Sequence, residues 1–421
     1  MTAPLPYTKD VALASDPGWW LPVRRESLDS FRQMDFPSSR QEDWKYTPLT
    51  QLERLHLHAP AANHAHQRPP VYPGQVLGFR NDSPLGHGIY HGDYEYDELI
   101  FSLQRAAGSQ TVQEHLGRLA GDTALVKLNN ALWRDGAHVL VAAGSHITTP
   151  IFLAFQADEA EAMLYPRSLI VVEAGGEAIL VEHYLGQTDA PYWQNAVSEI
   201  VLETGARLTH IKVLEDGPAA THTGLTAVRL SRDSSYRALH VGLNGSLARH
   251  DLRVELEGEG AEVGIDAFNL ASGRQISDLH LRVEHRVPHT RSRVNYRGLI
   301  DDRGRGVFDG RVVVHPAALQ TDAQQICRSM LLSPQAEADA KPQLEIYADD
   351  VKCSHGASVG RLDAAAMFYL QSRGIAARDA RRLLLQAFAG ETLGLLDETG
   401  LREWLMPRLL ARLPMDMEAK A

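Results

Sequence analysis

From about His138 to Arg361 the chain runs in short bursts of Val, Ile and Leu broken by Gly and Asn/Asp, the spacing of many short strands. Within it VVEAGGEAIL (Val171 to Leu180), VLETGARLTH (Val201 to His210) and ELEGEGAEVG (Glu255 to Gly264) share one unit. Each is an apolar strand, a Glu, a Gly-centred turn, a small residue and a second strand. Recurrence of such a unit, with no helices alternating between strands, predicts a β-helix with strands stacked in rungs, ahead of a repetitive sandwich or a doubly wound α/β fold.

Helical spacing flanks this region. Residues 27–53 are charged and aromatic at helical intervals, with Ser38 and Ser39 as cap candidates before Glu42. A second helical pattern spans residues 95–132 and carries Leu99, Leu103, Leu116 and Leu119. After Leu362, Asp363 suits a helix N-cap and Gly374 a C-terminal cap. A long apolar stripe and a last amphipathic helix with Trp404, Leu405, Leu409 and Leu410 follow, and Pro407 is expected to kink that helix. The predicted organisation is a mostly helical domain over 1–135, a β-helix core over 136–362 and a helical domain over 363–421. The C-terminal helices are expected to cap the open end of the solenoid or to offer a docking surface, with Phe368, Leu370, Leu384 and Phe388 as partner-binding candidates.

At 421 residues, 44% hydrophobic and 23% charged, the chain has the composition of a globular protein with a large core. A formal charge of -11 argues against general nucleic-acid binding, which needs a dense basic surface. No apolar run approaches the roughly 18 residues of a membrane helix, and the N-terminus shows no basic segment followed by an apolar one. Cys327 and Cys353 are the only cysteines, too few for a disulfide framework. A cytoplasmic protein is expected.

The chemistry concentrates in QLEIYADDVKCSHGASVGRLD, Gln343 to Asp363, where Cys353 and His355 lie two apart on a predicted strand and therefore on one face. Thiolate and imidazole suit iron or zinc, but two side chains cannot close a coordination shell. A nucleophile–base dyad is disfavoured, because the two Cα atoms are roughly 6.5 to 7 Å apart along the strand. The plain alternative is a small buried thiol beside a hydrogen-bonded core histidine. His56, His58, His64 and His66 form a His- and Pro-rich connection read as solvated. No G-x-x-x-x-G-K-[ST] loop occurs, so this chain is expected to bind no nucleotide by that route; H-E-x-x-H and C-x-x-C are likewise absent.

KPQLEIYADDVKCSHGASVGRLD with the following FYLQSRGI, RQEDWKYTPL near the N-terminus, and NYRGLIDDRGRGVFDG with TDAQQ resemble the SufD subunits of the SUF iron-sulfur cluster scaffold, in the SufB/SufD family. The likeness covers most of the chain and is weakest between Ala59 and Asp122. It implies a right-handed parallel β-helix between helical domains, with no enzymatic activity of its own. It implies pairing with a SufB paralogue through the β-helix and a SufC ATPase on the C-terminal helices, and leaves open whether the subunit alone forms a homodimer. A transient iron-sulfur cluster would be shared with the partner, with His355 matching the motif histidine and Cys353 the motif cysteine. Cys327 falls where SufD sequences are expected to carry a polar residue and is left outside the site. The CSHGA reading favours SufD over SufB. A purely structural β-helix subunit and a carbohydrate-active β-helix enzyme are the rival readings.

Overall fold

Each of the three Gly-centred units turns a corner between consecutive strands, and its glycine takes the left-handed conformation that the turn needs: Gly175, Gly205 and Gly260 have φ of 68°, 69° and 74°. These corners belong to a parallel β-solenoid of about eight turns, seen in a computed structural model that describes residues 19–61, 71–85 and 99–414. Its strands lie in two ten-stranded sheets that face each other. Successive rungs stack in register, so that Arg291 pairs with Asp322 and Asp322 with Lys352.

Both outer faces are covered along the flanks. On one sheet, Leu385, Leu393, Trp404, Leu405 and Leu409 of the C-terminal helices pack on Phe152, Ile211, Val213, Leu239 and Phe268. On the other, Trp20, Phe31, Leu128 and Trp133 pack on Val171, Trp193 and Val201. The C-terminal helices thus lie along the side of the solenoid and, among the described residues, leave its last rung uncapped, contrary to the capping expectation. An amphipathic stripe dictates that a face is buried, and the apolar outer face of the sheet offers more area than the solenoid's end.

The N-terminal region differs locally from its pattern. Leu21–Gln33 is a helix, but residues 42–54 form only two short 3-10 turns, and Ser38 and Ser39 cap neither. The segment is a strap instead: Trp44 lies over the Arg249 guanidinium at 3.8 Å, and Arg249 donates to Thr47 Oγ1 at 3.1 Å. Residues 99–132 depart from the expected helix: Ile100–Ser102 is a strand paired antiparallel with Gly136–Val141, and short helices follow it, ending in Ala124–Leu132, while residues 95–98 lie outside the described ones. Asp363 caps Ala364–Ser372 by accepting from Ala365 and Ala366, and Gly374 takes φ 86°. Pro407 sits inside a helix that continues from Arg402 to Arg412.

The solenoid interior is not purely apolar. One inward column runs Glu182, Lys212, His240, Ala267, Tyr296, Cys327. Burial pushes down the imidazoles of His138, His183, His210, His240, His250 and His285, His240 to about 3 and His285 to about 4. Below the ordinary histidine value of about 6.5 the unfolded chain takes up protons that these buried rings refuse, so stability is complete above that value and drains away as pH falls. Four groups oppose the trend: burial lifts Asp82 to about 7 and raises Asp135 and Asp266, and His280 is raised because Asp278 outweighs its burial. The six rings outnumber the four opposing groups. Urea midpoints should therefore drop from about pH 7.5 to about pH 5.5, at up to about 1.4 kcal/mol per pH unit for each uncompensated ring. A flat profile across that window would contradict neutral buried histidines.

Candidate functional site

The motif strand, Lys352–Arg361, is the final strand of its sheet. It pairs with Asp322–Leu331, whose Ala323, Gln325 and Cys327 are buried in the solenoid. Register places Cys353 above Ala323, His355 above Gln325, Ala357 above Cys327 and Val359 above Ser329. These four continue inward-facing columns that have no further rung to cover them among the described residues. Hence Cys353 is only half-buried against the core, His355 is exposed and Val359 is 49% exposed.

The free edge of this strand has a defined hydrogen-bonding pattern. Lys352 donates its N–H back to the carbonyl of Thr321, and alternation along a parallel ladder sends the backbone groups of Cys353, His355, Ala357 and Val359 the other way, toward the open edge. The residues with inward side chains are therefore also those with unpaired backbone groups. The companion sheet ends at Glu337–Ile346, where Tyr347 donates to Val314 and Glu337 to Gly304. There the edge-facing residues are Ala338, Ala340, Pro342 and Leu344, and Pro342 has no N–H to offer, which blunts that edge.

Burial raises the Cys353 thiol, the Ala323 backbone opposes that, and Asp322 adds to it. Cys327, one rung inside, is pushed up to about 12 by burial. Both cysteines are free. No cluster of three or more His, Cys, Asp or Glu able to hold a metal ion occurs among the described residues. The motif is therefore an open, two-ligand edge. His56 and His58 are exposed, His58 lying 3.6 Å from Glu159, and His64 and His66 lie outside the described residues.

The helix Ala364–Ser372 follows directly and buries no residue. Of the partner-binding candidates, Phe368 is 73% exposed, while Leu370, Leu384 and Phe388 are half-buried. Phe388 packs against the flank of the solenoid, with the Arg297 guanidinium 5.6 Å from its ring. Arg297 in turn is ion-paired with Glu391. The exposed apolar surface is made by Phe368 together with Tyr369 and Leu383, two residues the sequence reading passed over. An unbroken run of apolar residues hides which of them face water.

The family model described as "SUF system FeS cluster assembly, SufBD core domain" matches residues 155–388. An iron-sulfur cluster assembly SufBD family protein of Synechocystis is 33% identical over 88% of this chain and 86% of its own length. The iron-sulfur cluster assembly protein SufD of Escherichia coli is 29% identical, with 93% of each chain covered. The chloroplastic protein ABCI7 of Arabidopsis thaliana is 29% identical over 91% of this chain and 84% of its own.

Proposed function

We propose, proceeding from the fact that this chain belongs to the SufBD family of the SUF iron-sulfur cluster assembly system, that it is a SufD-type scaffold subunit whose open last rung is one half of a nascent-cluster site. The observation that carries this is the half-buried Cys353 and exposed His355 on an uncapped edge, with no third metal-binding side chain grouped with them among the described residues. Iron-sulfur clusters are held mainly by thiolates, with imidazole as an occasional substitute, so this rung supplies half a shell at best. A SufB-type paralogue pairing along the Lys352–Arg361 edge would supply the rest, its strand satisfying the unpaired backbone groups there. Cluster atoms here are cargo: weak, divided ligation lets a scaffold release what it has built. Free cysteines fit a compartment that keeps thiols reduced, and we place the protein in the cytoplasm. No described helix is long and apolar enough to cross a membrane.

The decisive experiment is co-expression with a SufB-type partner and a SufC-type ATPase, anaerobic purification, and iron and sulfide analysis of wild type against a His355 variant. Pairing of isolated subunits with each other through the same edge would appear as a homodimer that the paralogue displaces.

The second docking surface is the helix Ala364–Ser372, which we assign to the SufC-type ATPase. Phe368→Ser should abolish co-purification of that subunit while leaving thermal stability unchanged, because the ring buries almost nothing in the isolated chain. Retention of the ATPase by this variant would move its binding surface elsewhere.

A further inference from the structure

We infer that Gln325 is a positioning residue for His355, resting on the reading of the last rung as a half-site. An imidazole that binds metal through one ring nitrogen carries its proton on the other, and that N–H is almost always donated to an oxygen acceptor which fixes the tautomer and the ring plane. Few acceptors are near. On the inward faces of the last two rungs the side chains are Gly306, Phe308, Gly310 and Val312, then Ala323, Gln325, Cys327 and Ser329. Above them come Ala338, Ala340, Pro342 and Leu344 beside Cys353, His355, Ala357 and Val359. Only Gln325 and Ser329 carry a side-chain oxygen. Ser329 is two columns from His355, whereas Gln325 lies directly beneath it.

Gln325 is also prepared for the task. Its side chain is 1% exposed, and Nε2 donates across the interior to the carbonyl of Gly310 at 3.2 Å, which identifies Oε1 as the other end of the amide. A Cβ at position 310 would come within 2.2 Å of that Nε2, so the glycine is what lets the amide reach over. Oε1 is buried and accepts no hydrogen bond. An acceptor left unmet in a core otherwise closed is costly to keep, and one rung of about 4.8 Å separates it from the one imidazole above. A rotamer change of His355 brings its ring N–H to Oε1 when the other nitrogen takes up metal.

The test uses the full chain under anaerobic conditions with cobalt(II) alone as probe, read by the thiolate-to-cobalt band that Cys353 supplies. Gln325→Leu removes the acceptor and should weaken binding roughly 10- to 100-fold, while Gln325→Glu, which keeps an acceptor oxygen, should restore it. Circular dichroism and a urea melt confirm that each variant is folded. Should Gln325→Leu fail to fold, the Gln325 carboxamide carbon signal of the wild type, followed by NMR on adding zinc(II), replaces it: a shift supports the contact and an unmoved signal overturns it. Unchanged cobalt affinity in folded Gln325→Leu overturns the inference while leaving the half-site standing. Unchanged affinity in His355→Ala removes the half-site itself.

Discussion

His355→Ala should lower the iron and sulfide recovered with the co-expressed complex by roughly tenfold or more, with no loss of folding or of subunit pairing. The two halves of this expectation have separate causes. Assembly fails because the rung offers only two candidate ligands, and removing the imidazole leaves one half-buried thiol whose ionisation burial already discourages. Stability survives because His355 is exposed, carries no hydrogen bond that the solenoid needs, and contributes its backbone, unchanged by the substitution, to the free edge. Exposed substitutions of this kind usually stay within about 0.5 kcal/mol. Cys353→Ser should be folded too, yet slightly less stable, since the thiol packs against the core as a small apolar group. Comparing the two variants ranks imidazole against thiol. Ordinary iron content in His355→Ala, with the complex intact, would leave a purely structural β-helix subunit as the better description.

The solenoid was legible because its turn chemistry repeats: a glycine at 175, 205 and 260 announces the corner regardless of what the strands bury. The open edge was legible only as a motif. That Cys353 and His355 share a face follows from a period of two, but that the face is inward and uncovered depends on the chain ending its last rung there, which no local pattern encodes. Gln325 passed unnoticed for the same reason, being thirty positions away in sequence and adjacent only through register.

The interior charges were illegible for a different reason. In Arg207–Glu215 the apolar Ile211 and Val213 would ordinarily mark the core face, yet they point outward beneath the C-terminal helices, and His210 and Lys212 point in. Alternation identifies the two faces of a strand but names the inner one only when the other meets water. Here both faces are buried, so the rule inverts.

That inversion sets up a large stability effect for a single substitution at the Lys212–Glu182 pair. Lys212 Nζ lies 2.7 Å from Glu182 Oε2 and 2.9 Å from Thr226 Oγ1, all inside the solenoid. Burial pushes the Glu182 carboxyl up, but Lys212 and His210 outweigh it and hold the group well below the usual carboxylate range; burial likewise pushes Lys212 down, and Glu182 partly restores it. Lys212→Met should cost about 3–5 kcal/mol, because it strands a carboxylate in an apolar setting with only Ser198 and His210 as partners. Lys212→Met with Glu182→Leu should recover most of that loss, since a well-packed apolar pair forgoes the desolvation that both charges suffer. The pH dependence separates this account from simple cavity damage. Without Lys212 the folded Glu182 value rises above its unfolded one, so the folded state holds the extra proton and the single variant's deficit shrinks as pH falls through that raised value, whereas the double variant's does not change. A single variant within about 1 kcal/mol of wild type would mean that the pair contributes nothing to holding the rungs in register. A deficit that is independent of pH would assign the loss to packing alone.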